Sequence, residues 1–191
     1  MEFVRDEDLL GVLKVHGVTA STETDDRVYL RMAAADGVVA RIHLKTADAD
    51  ADPEEGARVF TVDAEKIPDA IDSVIHKLHL REVLLVPVGK WRHLFDAVAF
   101  RLAENEDWQE IDATATVELN TRDPLLCEPG DFHTLSALMH AIISDAERPE
   151  QGVMLTTTTA PLLVEVVPEG AVRMSFGSQV MADEVAETLE S

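Results

Sequence analysis

Val88-Gly89-Lys90-Trp91-Arg92-His93 gathers a glycine turn, two cations and an imidazole within six residues. The apolar run Glu82 to Val88 precedes it and reads as a central strand. Trp91, Phe95, Val98 and Leu102 follow and mark one face of a helix running to about Asn105. Gly89 and Lys90 are therefore expected just past the carboxyl end of a strand, at a helix start. Unbonded amides and the positive end of the helix dipole favour an anion there. Lys90 and Arg92 add charge, and His93 can carry a proton near neutral pH. The segment is not a P-loop. Leu84 stands where that motif needs its first glycine, and Trp91 where it needs Ser or Thr. The plain alternative is a glycine turn with solvated charges and Trp91 in the core.

Asp69, Asp72, His76 and His79 are spaced 3, 4 and 3. On one helix they form a stripe opposite Ile67, Ile71 and Val74. Carboxylates with imidazoles could bind Zn²⁺, Mn²⁺ or Fe, but one helix rarely supplies a full shell. His43, His133 or His140 would have to complete it. The alternative is a solvated face with weak Asp–His pairs. No cofactor is expected.

His133 and His140 are seven residues apart on a second helical stretch, with Ser136 and Ser144 near their face. The chain lacks a Gly-x-Ser-x-Gly elbow, a Gly-x-Gly-x-x-Gly loop, a Cys-x-x-Cys pair and a His-Glu-x-x-His motif. The lone Cys127 sits among Asp123, Glu128 and Asp131, which disfavour a thiolate. The residue types thus lean away from an enzyme without settling the matter.

These groups sit in a chain of 191 residues with formal net charge −21 and 46 % hydrophobic residues. That much apolar content excludes a disordered chain. The charge argues against a nucleic-acid surface, which needs clustered Lys and Arg. One cysteine, an acidic amino terminus and short apolar runs imply a cytoplasmic chain with no membrane association. Five Lys against eleven Arg fits a salt-adapted surface.

The charge is uneven. Residues 1–101 carry 13 basic and 19 acidic groups, a net −6; residues 102–191 carry 3 basic and 18 acidic, a net −15. The stretch 76–93 is a basic island, with Lys77, Arg81, Lys90, Arg92 and three histidines against Glu82 alone.

The positioning elements read as follows. A short helix covers about 4–14. Strands Val28–Met32 and Val38–Lys45 join through Asp36-Gly37, a hairpin signal. Residues 47–56 form a mobile acidic loop. A strand at Arg58–Val62 leads into a helix carrying Ile67, Ile71, Val74, Ile75 and Leu78. Gln109 to Leu119 alternates like a half-buried strand. Asn120 to Gly130 is a loop, and Asp131 caps a long helix. Strands Val153–Thr159, Leu162–Val167 and Ala171–Phe176 precede a last helix capped by Ser178. The class is α+β: a mixed or largely antiparallel sheet with four to five helices in one domain, 1–191. Two similar halves, 1–106 and 107–191, are a weaker suggestion.

Three functions are compatible with this reading. The first is a non-enzymatic interaction protein whose 76–93 island docks on an acidic surface, either a second copy in a homo-oligomer (a dimer favoured) or another protein. The second is an enzyme or sensor for a small anion, phosphate or carboxylate, held by Gly89, Lys90 and Arg92 with His76, His79 or His93 as proton carriers. Lys77, Arg81, Gly89, Lys90, Arg92 and His93 are together the candidate anion- or partner-binding residues. The third is an acidic mimic of nucleic acid.

Overall fold

The computed structural model describes residues 1–4, 6–22, 27–34, 37–49, 52–114, 121–168 and 170–190. Within them the strands are β1 (Glu2–Phe3), β2 (Val18–Thr22), β3 (Val28–Met32), β4 (Ala40–Lys45), β5 (Arg58–Thr61), β6 (Val83–Pro87), β7 (Leu125–Cys127), β8 (Val153–Thr156), β9 (Leu162–Val167) and β10 (Ala171–Phe176). The helices are α1 (Asp6–Val15), α2 (Ile67–Lys77), α3 (Trp91–Val98), α4 (Glu106–Thr114), α5 (Phe132–Asp145) and α6 (Gln179–Leu189). Eight strands form one sheet in the order β1-β7-β6-β8-β9-β10-β4-β5, and β2 pairs with β3 separately. Only the β4–β5 pair is parallel. The α+β class with a largely antiparallel sheet is thus what the chain adopts. Strands from 1–106 and from 107–191 share the large sheet.

The sheet has two covered faces. Helices α2 to α6 pack on one, against Ile42, Leu44, Leu85, Leu155, Val164 and Met174 among others. On the other, Leu13 of α1, Val18 of β2 and Leu30 of β3 pack against Leu84, Val86, Val88, Met154 and Leu163. Hence β6 is buried on both faces, which is why Val83 to Pro87 reads as an unbroken apolar run. Each large apolar side chain so buried contributes roughly 1.5–3 kcal/mol. Helix α2 follows its 3.6-residue pattern, burying Ile67, Ile71, Val74 and Ile75, with Pro68 in the first turn. Ser178 caps α6 by accepting from the Met181 N–H.

Four local expectations are corrected. Asp36-Gly37 does not close a β3–β4 hairpin: β3 pairs with β2, while β4 lies between β10 and β5. Asp36 itself lies outside the described residues. The expected strand from Gln109 is helical through Thr114, and 115–120 lie outside the described residues. Asn105 Oδ1 accepts from the Trp108 N–H at 2.8 Å, starting that helix, and Trp108 and Ile111 bury one face of it. The loop 120–130 contains a short strand, β7, that extends the sheet beside β6. Helix α3 stops at Val98, although Leu102 still reaches the core. In the acidic loop, residues 50–51 lie outside the described residues, and Glu54 ion-pairs with Arg41.

Candidate functional site

The carboxyl end of β6 is fixed from three sides. Val88 donates its N–H to Gly152 O and accepts from Val28 N–H, both at 3.0 Å. Gly89 N–H donates to Glu150 O at 3.2 Å. A Cβ on Gly89 would lie 2.6 Å from that oxygen and 2.8 Å from His93 Nδ1, so only glycine fits. The following Trp91 is fully buried and is an anchor. Its Nε1 donates to Asp123 O at 2.8 Å, and its ring meets Phe3 and Phe95 edge-on. That anchor draws the 121–123 segment to the start of α3. Arg122 then donates from Nε to Gly89 O at 3.1 Å. On the far side, Gln151 Oε1 accepts from the N–H groups of Glu147 and Arg148 and holds the turn bearing Pro149 and Glu150.

The result is an open cleft of about 470 Å³. Arg27, Lys90, His93 and Arg122 line it, with Glu150 opposing them. These four basic side chains come from three separate stretches of the chain. A second cleft of about 410 Å³ shares Arg27 and Pro149 with the first and adds Arg31, Arg173, Glu54 and Glu165. Sequence reasoning found Gly89, Lys90 and His93 but missed Arg27 and Arg122. A usable signal existed: Arg122 and Arg173 are two of only three cations in the acidic stretch 102–191.

The amides expected to be open at the helix start are largely engaged. Trp91 N–H donates to Thr121 O at 3.5 Å and His93 N–H to Lys90 O at 3.0 Å. Side-chain charge, rather than the first turn of α3, is what the cleft offers an anion. His93 Nδ1 is buried without a hydrogen-bond partner.

The basic island is not one patch. Lys77 and Arg81 are exposed at the amino end of β6, and Lys90 and His93 stand at its carboxyl end. Five strand residues, roughly 16 Å, separate the two groups. Arg92 is exposed on α3 and does not line the cleft.

The Asp–His stripe is also broken. Helix α2 ends at Lys77, and His79 takes φ 51° in the turn after it, leaving the helical stripe. His76 Nδ1 lies 2.9 Å from Asp72 O and 3.3 Å from Asp72 Oδ2. The Asp69 carbonyl accepts from Ser73 Oγ. Among the described residues, no group of three or more His, Cys, Asp or Glu is placed to hold a metal ion.

His133 serves a tie between helices. Its Nε2 is 2.7 Å from Asp107 Oδ2, which also accepts from Thr134 Oγ1 at 2.8 Å. The Thr134 hydrogen bond, opposed by burial and aided by His133, holds the Asp107 carboxyl below the usual range. Cys127 is buried on β7, and burial, with Asp131, pushes its thiol up to about 12. It is no nucleophile at neutral pH.

Comparison of the chain with protein-family models, curated proteins and solved structures finds no match in any of the three. No helix among the described residues is long and apolar enough to cross a membrane.

Proposed function

We propose that the protein binds a small anion, a phosphate or carboxylate ligand, in the cleft between α3 and the 149–150 turn. One observation carries this reading: Arg27, Lys90, His93 and Arg122 converge there in a chain of net charge −21. Screening supports it. At physiological salt the Debye length is about 8 Å, so distant carboxylates repel a bound anion weakly and the cations beside it dominate. A cleft of this size also suits a small molecule.

The lining favours binding or sensing over catalysis. Its proton-transfer groups are His93 and Glu150, and it holds no hydroxyl or thiol nucleophile. The docking reading of residues 76–93 needs one contiguous basic patch, and its cations stand at opposite ends of β6.

A thermal-shift screen at moderate salt tests the proposal, using inorganic phosphate, sugar phosphates, nucleotides and carboxylates. Stabilisation by at least one class, abolished in Lys90→Glu, is expected. No stabilisation by any class contradicts it.

A further inference from the structure

We infer that the ligand carries two anionic groups, one at Lys90 and Arg122 and one at Arg31 and Arg173, with Arg27 between them. This rests on the anion-binding reading above and extends it to the class of ligand. The first ground is continuity. The two clefts share Arg27 and Pro149 as a common wall, so one elongated molecule can occupy both.

The second ground is a row of polar groups on the sheet. Glu165 of β9, Arg173 of β10 and His43 of β4 stand in register on one face. Glu165 and Arg173 both line the second cleft. Arg173 Nη1 is 3.2 Å from Glu165 Oε2, but its Nε is buried with no hydrogen-bond partner. His43 is 1 % exposed, and neither ring nitrogen has a partner. Such orphaned donors and acceptors are rare in a folded protein and mark this row as unusual. The Arg173 side chain is still 32 % exposed and lines the second cleft, where a ligand oxyanion can reach its guanidinium.

The third ground is charge. Burial, then Arg173 and Lys45, pushes the His43 imidazole below its usual range and keeps it neutral. The cationic charge of that row therefore resides on Arg173, beside Arg31. The carboxylates of Glu165 and Glu54 can accept from hydroxyl groups between the two acid groups of the ligand. A bisphosphorylated polyol has that chemistry.

Calorimetric titration of inorganic phosphate, fructose 6-phosphate and fructose 1,6-bisphosphate tests the inference. The bisphosphate is expected to bind at least tenfold tighter than the monophosphate. Arg31→Ala, at an exposed position, and Arg173→Gln should each erase most of that advantage. Both variants should still bind inorganic phosphate, at Lys90 and Arg122. Equal affinity for the two sugar phosphates overturns the inference while leaving the anion site standing. So does an advantage that survives both substitutions. Failure of all three probes to bind removes the anion reading itself, and this inference with it.

Discussion

Arg122 donates from Nε to the carbonyl oxygen of Gly89 at 3.1 Å, although 33 residues separate them in the chain. The bond brings a cation of the most acidic stretch to the one turn where Lys90 and His93 already stand. Glycine at 89 lets the same turn pack against the Glu150 backbone, which occupies the space a side chain would need.

Gly89→Ala is therefore expected to destabilise the fold. A backbone oxygen at 2.6 Å cannot yield cheaply. Overpacking of this kind costs typically about 1–3 kcal/mol. Urea unfolding measures it, and a variant as stable as the parent would show that the approach is looser than described.

Asn105→Ala tests the start of α4. Removing the side-chain acceptor of the Trp108 N–H should cost about 1 kcal/mol. An unchanged denaturation midpoint would mean that the cap does not hold the helix.

The region of that cap also shows what the sequence hid. Ile111, Ala113 and Ala115 alternate as a strand would, but alanine suits a helix equally. The stronger signals were Asn105 before Glu106 and Asp107, and the spacing of three between Trp108 and Ile111. Where burial dictated type, legibility was good. The two-sided burial of β6, the 3.6-residue stripe of α2 and the strand runs of β9 and β10 all stood out. Pairing partners were not legible. Asp36-Gly37 is a local turn signal, and β3's pairing with the preceding β2 and β4's with the distant β10 override it. The cleft was half legible for the same reason. Gly89, Lys90 and His93 are neighbours in sequence, whereas Arg27 and Arg122 arrive through long-range contacts at Val88 and Gly89.

His43 gives the fold a pH dependence. It is held neutral, and Arg173, Lys45 and Glu54 are the charged groups acting on it. Its folded pKa lies below the usual 6.5 of a histidine, so the unfolded chain binds the proton more readily. Its contribution to stability is complete above pH 6.5 and declines as pH falls towards the folded pKa. His43→Leu should flatten the stability-against-pH curve just below 6.5, by at most about 1.4 kcal/mol per pH unit. Parallel curves for parent and variant would contradict this.

Cys127 should resist modification. Its thiol is buried and pushed up to about 12, so the thiolate is scarce at pH 8. Mass spectrometry after iodoacetamide treatment should show the native chain unmodified and the urea-unfolded chain fully alkylated. Rapid alkylation of the native chain would place the thiol at the surface.

The central claim concerns the cations at the carboxyl end of β6. Its most direct test is calorimetric titration of inorganic phosphate into the parent and into Lys90→Glu at low ionic strength. Lys90 is partly exposed and caps α3 without a side-chain hydrogen bond, so the substitution should leave the fold intact. Saturable binding by the parent is predicted, weakened at least tenfold in the variant and falling with added salt. No saturable heat from the parent, or equal affinity in the two proteins, would contradict the account.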